Sequence, residues 1–408
     1  MTNEPRWARF FARAEFERQR FGAFVPSEAI TDLQHGDLEC RFTFPVPDGR
    51  TVDFLNYPWL RANRETAAVP YRVLTTDLTE GDIVGGGLGK ARQALELAVR
   101  ETAPGGKVVL NSACVPDLTG EDTAALARAQ DGAVRVDHRP SAGQDMVLAA
   151  VRESLRAAVA APPARASRRP AAVLVGVPSG RAQGELRRWL AEAGIDVAAC
   201  LLPCLSPACF QAARGGDFMI QGSDRLLEKA SSEIVAGLAL PAVMPPAPYG
   251  PLGCRAWLEA VVKNPWTAPA SLRLADAEAR WKILAGRARE HRLAFVLPRT
   301  ELARLSDPSW NAGVPLLPLI QEMGFGVDLL VEGKDFRTEK ELGGLLENGE
   351  FAAVYSDFYF DHRLSRRGKG QFNLGFFEPG LEGSLRSLER LLGLCRLTFY
   401  RRYRGHLR

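Results

Sequence analysis

Short apolar runs alternate with longer stretches of helical periodicity through most of the 408-residue chain. The apolar runs at 108–110, 171–177 and 293–297 are each followed by a stretch in which apolar residues recur at helical spacing. Runs of this kind are typical of strands that are buried on both faces, and a repeated strand–helix–strand order favours parallel sheets. The pattern predicts an α/β fold with three tandem Rossmann-like domains and parallel sheets.

Breaks in this pattern predict the domain boundaries. The amino-terminal part carries one amphipathic helix over 7–20, and Pro and Gly then interrupt any regular element, so we expect it to be irregular. The stretch 162–170 is rich in Pro and Arg and is typical of a linker. The predicted regions are an irregular extension over 1–70 and α/β domains over 71–161, 171–265 and 266–408, the last with a helical carboxy-terminal part.

Cys114 lies just after the apolar run at 108–110. Thr119 and Asp122 have capping-box spacing, which predicts that a helix begins after them. Cys114 would then lie at the carboxyl end of a strand, where open α/β sheets bind ligands, and near a helix dipole that favours the thiolate. A buried cysteine acting as a small hydrophobe fits the same spacing, so both interpretations stay open.

Composition narrows the class of protein. Hydrophobic residues make up 46% and charged residues 25% of the chain, as in ordinary soluble globular proteins. A net charge of +4 is too small to indicate binding to nucleic acid or to a membrane surface. No apolar run approaches the ~20 residues of a membrane helix, and the first residues lack a signal-peptide core, so we expect a cytoplasmic protein. In a cytoplasmic protein of this length, seven cysteines do not indicate a disulfide framework, and they leave metal or cluster ligation open.

Other local motifs do not fit an established binding pattern. The glycine-rich stretch 85–90 lacks the residues that a phosphate loop or a dinucleotide fingerprint requires. Cys200, Cys204 and Cys209 match neither zinc nor ferredoxin spacing, which favours core cysteines at a strand end. The five histidines form no motif, and an enzyme without evident acid–base residues often relies on a cofactor.

Four segments resemble the nitrogenase component 1 family. Residues 112–122, Ser-Ala-Cys-Val-Pro-Asp-Leu-Thr-Gly-Glu-Asp, are similar to its cysteine segment, in which a strand, a cysteine and a Gly-Asp-Asp or Gly-Glu-Asp helix start follow one another. Residues 74–87 resemble its Ser/Thr-Asp-Met-Thr-Glu segment and the Gly-Gly turn that follows. Residues 245–254 are similar to its Pro-x-Gly-x-x-Gly/Thr stretch, and residues 372–383 are similar to its carboxy-terminal Gly-Phe-Pro region. They occur in order along the three predicted α/β units.

The resemblance implies a β-like subunit, because the carboxy-terminal Cys/His pair of the cofactor-holding subunit has no counterpart here. It implies that Cys114 and Cys40 provide thiolates to an iron–sulfur cluster, P-cluster-like or 4Fe-4S, shared with the partner subunit. The family's His-Gly-x-x-Gly-Cys segment is expected near 53–59, where this chain has no cysteine. The implied partners are an α-like component 1 subunit, in a heterotetramer, and an ATP-dependent iron protein that delivers electrons.

The resemblance implies a nitrogenase-like oxidoreductase in which the substrate is reduced mainly in the partner subunit. Methylthio-alkane reductase is the first choice of function, because the chain lacks features associated with the tetrapyrrole reductases. A cofactor-maturation scaffold, a tetrapyrrole reductase subunit and a non-catalytic docking subunit are the alternatives. A solute-binding protein with tandem Rossmann-like domains is disfavoured by the missing export signal.

Overall fold

Three parallel four-stranded sheets form the framework of the protein. The structure is a computed structural model. It describes residues 6–11, 30–37, 71–102, 106–130, 135–139, 148, 151–152, 154–156, 158–159, 169–177, 181–202, 207–225, 227–262, 275–311, 313–358 and 361–403.

The three sheets share one strand order, in which the first strand lies between the second and the third and the fourth strand is at the edge. All described strand pairs are parallel. The first sheet contains β1 (Ile30–His35), β2 (Tyr71–Thr75), β3 (Lys107–Ser112) and β4 (Arg135–Arg139). The second contains β5 (Ala171–Val175), β6 (Asp196–Leu201), β7 (Phe218–Gln221) and β8 (Ala242–Val243), and the third β9 (Arg292–Pro298), β10 (Gly326–Glu332), β11 (Ala353–Tyr355) and β12 (Gly370–Phe372).

Helices connect these strands, as parallel pairing requires. In the first domain they are α1 (Glu80–Gly85), α2 (Leu88–Glu101), α3 (Cys114–Thr119) and α4 (Thr123–Arg128). In the second they are α5 (Arg181–Glu192), α6 (Pro207–Ala213), α7 (Glu228–Leu238) and α8 (Gly250–Val262). In the third they are α9 (Ala275–Ala288), α10 (Leu316–Glu322), α11 (Glu339–Asn348), α12 (His362–Ser365), α13 (Leu381–Arg396) and α14 (Phe399–Tyr403).

Burial on both faces explains the continuous apolar runs. Every residue of β5 is buried. Val173 and Val175 pack into one apolar core, whereas Ala172 and Leu174 pack into another. Successive side chains of a strand point to opposite faces, so a sheet covered by helices on both sides selects apolar residues at every position. The predicted α/β fold with parallel sheets is confirmed.

Two predictions about local structure are wrong. Residues 30–35 do not belong to an irregular extension, because β1 lies inside the first sheet between β2 and β3. Thr119 does not cap the helix that follows: it is the last residue of α3, and its hydroxyl donates to the carbonyl of Pro116 over 3.1 Å. The next helix, α4, is instead capped by Asp122, whose carboxylate accepts from the backbone N–H of Ala125 over 2.8 Å. The helix predicted over 7–20 lies mostly outside the described residues, and within them only a three-residue 3-10 turn, Arg6–Ala8, forms.

The strand order creates a crevice at the carboxyl end of each sheet. The second strand lies on one side of the first strand, and the fourth strand lies beyond the third on the other side. The loops that follow the first and the third strands therefore lead in opposite directions and leave a crevice between them. We name the first crevice for the ends of β1 and β3, the second for β5 and β7, and the third for β9 and β11. In open α/β sheets, ligands bind at such points.

The second and third crevices differ in how they are filled. The second opens into a pocket of about 480 Å³, including its mouth, lined mainly by apolar residues from after β5, β7 and β8. The third is filled by the chain itself: the Phe11 ring stacks on Tyr355 at 4.6 Å, and the Asp357 N–H donates to the carbonyl of Phe10 over 2.9 Å. Across the described residues, none of the helices has both the length and the apolar character of a membrane span.

Candidate functional site

Cys114 lies at the first crevice. The strand β3 ends at Ser112, and Cys114 is the first residue of α3, two positions farther along the chain. Helix α3 has six residues and ends at Gly120, which has left-handed backbone torsions (φ 75°). The predicted position of Cys114, after a strand and at a helix start, is therefore confirmed, although the helix is α3.

The end of β1 lies directly beside Cys114. His35 is paired with Ser112 in the parallel ladder, and its carbonyl accepts from the N–H of Ala113 over 2.8 Å. Cys40 itself lies outside the described residues, which end in this region at Asp37. Cys40 is three positions after Asp37, and an extended chain spans at most about 11 Å over three positions.

A buried hydrogen-bond network lies behind the first crevice. The His35 side chain is fully buried, with Nε2 2.8 Å from Glu121 Oε2 and Nδ1 3.1 Å from the hydroxyl of Thr76. The other carboxylate oxygen of Glu121 accepts from the N–H of Gly87 over 2.7 Å. The network thus ties together the ends of β1 and β2, the turn before α2, and the loop after α3.

Gly87 is required by this packing. A Cβ atom there would lie 3.0 Å from His35 Cε1, 3.0 Å from Leu78 Cδ2 and 3.1 Å from Glu121 Oε1. These contacts are tighter than nearly all that a real Cβ makes, so a side chain would push the network apart. Gly87 therefore serves close packing, whereas a Cβ at Gly85 or Gly86 would have no neighbour within 4 Å.

The Lys90 side chain forms hydrogen bonds within the same domain. Its ammonium donates to the Asp77 carbonyl over 2.6 Å and to the Asp82 carboxylate over 2.9 Å. Asp82 forms a capping box with Thr79 at the start of α1. Hydrogen bonds from the Thr79 backbone and from Lys90 keep the pKa of Asp82 well below its usual range. Lys90 is therefore held by an ion pair rather than directed at a phosphate.

Two large apolar side chains beside Cys114 face solvent. Val84 on α1 is 90% exposed, and Leu118 on α3 is 85% exposed. The two helices are in contact with each other. Exposed large apolar side chains make this surface a candidate interface. The structure thus combines a cysteine with an apolar surface at one crevice.

The other described cysteines with free thiols lie in apolar packing. Burial raises the pKa of Cys200 to about 11 and that of Cys395 to about 12. Cys254 is buried, and burial raises the pKa of its thiol as well. Among the described residues, none of these three thiols belongs to a group of His, Cys, Asp or Glu side chains that could hold a metal ion.

The cysteine cluster at 200–209 is not a metal site among the described residues. Cys209 is half-buried and disulfide-bonded, and Cys204 lies outside the described residues. Within the part of the chain that the structure describes, no group of three His, Cys, Asp or Glu side chains has the arrangement of a metal site. A complete ligand set is therefore not assembled from the described residues alone.

Sequence reasoning missed His35 and Glu121 as site residues. They are 86 positions apart, and His35 lies in a strand that hydropathy did not reveal. A usable signal was present in the sequence, however. Residues 35–40 are His-Gly-Asp-Leu-Glu-Cys, with His, Gly and Cys at the spacing of the segment His-Gly-x-x-Gly-Cys that was expected near 53–59, which lies outside the described residues.

Comparisons with known proteins support the resemblance. The model of a family described as nitrogenase component 1 type oxidoreductase matches residues 56–374, more than three quarters of the chain. The solved structure of nitrogenase Cp1 at pH 5 is similar, with a TM-score of 0.61 and 14% sequence identity over 98% of this chain and 91% of that one. Nitrogenase Cp1 at pH 6.5 gives a TM-score of 0.60 and 13% identity over 98% and 92%. No curated protein sequence matches the chain.

Proposed function

Because the chain belongs to the nitrogenase component 1 type oxidoreductase family, we propose that it is the β-like subunit of a nitrogenase-like reductase. It relays electrons from an ATP-dependent iron protein, through an iron–sulfur cluster at the subunit interface, to a reduction site in an α-like partner. The observation that carries the proposal is the first crevice. There, Cys114 begins a helix whose neighbouring surface exposes Leu118 and Val84.

Cys114 and Cys40 are the proposed cluster ligands. Cys114 follows β3 and Cys40 follows β1, and these two strands are neighbours in the first sheet. The segment from His35 to Cys40 shares its His, Gly and Cys spacing with the family's His-Gly-x-x-Gly-Cys segment. We therefore assign that segment to 35–40 in place of the stretch near 53–59.

Two cysteines form only part of a ligand set, and this fits a cluster shared with a second chain. Iron–sulfur clusters are usually held by four or more thiolates. The partner would contribute the remaining ligands across the surface that carries Val84 and Leu118. When bound, the cluster supplies reversible one-electron storage, and this chain's residues hold it, cover it and exclude water from one side.

The exposed apolar side chains support an α-like partner at this surface. Leu118 lies four residues after Cys114 on the same helix, so a chain that contacts Leu118 also comes close to the cysteine. A partner that completes the ligand set would bury Leu118 and Val84 at the same time. Burying them gains roughly 1.5–3 kcal/mol for each side chain. The interface and the ligand set thus require the same second chain.

Methylthio-alkanes are the proposed substrate class. Reduction of one C–S bond consumes two electrons and two protons and yields a C–H bond and a thiol. In this function the chain delivers the electrons, and the bond is broken in the α-like partner. A maturation scaffold would instead transfer its cluster intact, so an assay for thiol release against cluster transfer separates the two functions.

Replacement of Cys114 by Ala tests the role of the site. The variant and its partner are co-purified without oxygen, and their iron content and iron-protein-driven reduction are measured. We expect loss of cluster iron and at least a hundredfold loss of reduction, because one thiolate ligand is missing. Cys200→Ala is the matched control and should behave like the wild type, since Cys200 lies in apolar packing. Unchanged iron and activity in Cys114→Ala would exclude Cys114 from the mechanism.

A further inference from the structure

The imidazole of His35 is placed as a connector between the segments that form the first crevice. Its two ring nitrogens lie within hydrogen-bond distance of Thr76, which follows β2, and of Glu121, which follows α3. Its backbone carbonyl accepts from Ala113, the residue immediately before Cys114. One residue at the end of β1 therefore contacts the segments on both sides of the crevice.

Glu121 extends this connection to the glycine turn. One of its oxygens, Oε2, lies 2.8 Å from Nε2 of His35, within hydrogen-bond distance. The other oxygen accepts from the N–H of Gly87. Both oxygens therefore have partners, and the side chain is 8% exposed. Because each carboxylate oxygen has a different partner, Glu121 fixes the distance between the glycine turn and the imidazole of His35.

Packing alone does not explain this pair. A buried imidazole–carboxylate pair pays a desolvation cost, and apolar residues of similar volume often replace such pairs without loss of stability. A pair of this kind is useful where it orients neighbouring groups. In metal sites, hydrogen bonds just behind the ligands orient them, and their loss typically costs about tenfold to a hundredfold in metal affinity. The His35–Glu121 pair lies behind the loop that begins with Cys114.

We propose that His35 is a positioning residue: through Glu121 and the N–H of Ala113, it holds the loop that begins with Cys114 in one arrangement, so that the Cys114 thiolate stays in place to bind the cluster. This inference rests on the proposed function. His35 does not itself bind iron, because Glu121 and Thr76 occupy its ring nitrogens. Its effect is on how firmly the iron is held.

The test uses the full chain with its partner, reconstituted with iron and sulfide without oxygen. Iron release to an excess of the chelator bathophenanthroline disulfonate is followed for the wild type, His35→Ala, His35→Gln and Cys114→Ala. We expect release from His35→Ala to be about tenfold to a hundredfold faster than from the wild type. His35→Gln should recover most of the slow release, because the Gln amide nitrogen can take the place of Nε2 beside Glu121.

Thr31→Val is the matched control for stability. Thr31 is buried at the other end of β1, and its hydroxyl is 2.6 Å from that of Thr102. This change removes a buried hydrogen bond from the same sheet, so it should lower the unfolding temperature and leave iron release at the wild-type rate. Equally fast release from Thr31→Val and His35→Ala would overturn the positioning role, as would wild-type release from His35→Ala.

Hydrogen exchange gives a second measurement that needs no iron. Amides of the turn at 86–88 and of the loop at 113–121 should exchange at least tenfold faster in His35→Ala, and the middle of α2 should not change. Unchanged exchange in both segments would also overturn the proposal. Failure of the proposed function has a different signature: the wild type and Cys114→Ala would then release iron at the same rate.

Discussion

The first and third crevices have the same strand order but differ in which side chains occupy them. In the third, Phe11 is buried between Tyr355 and the Arg304 guanidinium, which lies 4.7 Å from its ring. Arg363 fastens this segment by donating to the Trp7 carbonyl over 2.7 Å. In the first crevice, Leu118 beside Cys114 faces solvent instead.

This difference shows how a repeated fold separates stability from function. The crevice that the chain fills with its own aromatic residues gains apolar burial there. The crevice at Cys114 has large apolar side chains that are exposed in the described part of the chain. Function therefore depends on which residues stand at the strand ends and not on the sheet itself.

The strongest test of this comparison is Phe11→Ala. Removing a buried Phe ring typically costs about 3–5 kcal/mol, and here the stacking on Tyr355 is lost as well. We expect a clear fall in the unfolding temperature and faster hydrogen exchange at the end of β11. Leu118→Ala is the paired variant, expected to change stability by less than about 0.5 kcal/mol because Leu118 is exposed. Similar losses for both variants would contradict the comparison.

The first crevice should respond in partner binding rather than in stability. Leu118→Asp places a charge on the proposed interface, and we expect it to weaken association with the α-like subunit at least tenfold, about 1.4 kcal/mol. Sedimentation or titration of the purified subunits measures this effect. Leu252→Asp is the control, because Leu252 is 69% exposed on α8, in the second domain. An unaltered affinity in Leu118→Asp would remove this surface from the interface.

The sequence was sufficient to predict most strands but missed β1, for a physical reason. Its residues are Ile-Thr-Asp-Leu-Gln-His, of which Thr31, Gln34 and His35 are buried although they are polar. Hydropathy detects a strand through apolar residues, and this strand is buried among hydrogen-bond partners from distant parts of the chain. The bond from His35 to Thr76 spans 41 positions and that to Glu121 spans 86, so local patterns could not reveal them.

The cap of α4 was assigned to the wrong residue for a related reason, whereas the start of that helix after Asp122 was predicted correctly. Thr119 and Asp122 have capping-box spacing, but the spacing does not show which residue has extended torsions. Gly120 adopts the left-handed conformation that ends α3, so Thr119 stays inside that helix and Asp122 becomes the cap. The position of Cys114 was predicted correctly because it depends only on the apolar strand before it.

A buried glutamate joins the second domain to the third. Glu185 on α5 is 5% exposed, and its Oε1 accepts from the N–H groups of Leu381 and Glu382 over 2.9 and 3.1 Å. It therefore caps α13 of the third domain from a helix of the second. Gly380 precedes that helix with left-handed torsions (φ 87°), and a Cβ there would collide with Glu185 Oε2.

Glu185→Gln gives the smallest expected effect and a defined pH dependence. Burial raises the pKa of Glu185, outweighing the backbone hydrogen bonds that lower it. Because the pKa is higher in the folded than in the unfolded chain, the stability that its protonation provides is complete below about pH 4, under the ordinary glutamate pKa, and is lost as the pH rises through the raised value. Glutamine keeps the acceptor oxygen and cannot ionise, so the variant should match the wild type at low pH.

Above the raised pKa, we expect Glu185→Gln to unfold at a temperature about 1 °C higher than the wild type, which corresponds to less than about 1 kcal/mol for a chain of this size. Thermal unfolding of both proteins from pH 4 to pH 8 measures the difference. Glu301→Gln is the matched control, since Glu301 is a surface residue in an ion pair with Arg304 and should show no such trend. A constant difference across this range would contradict a pH-dependent contribution of Glu185 to stability.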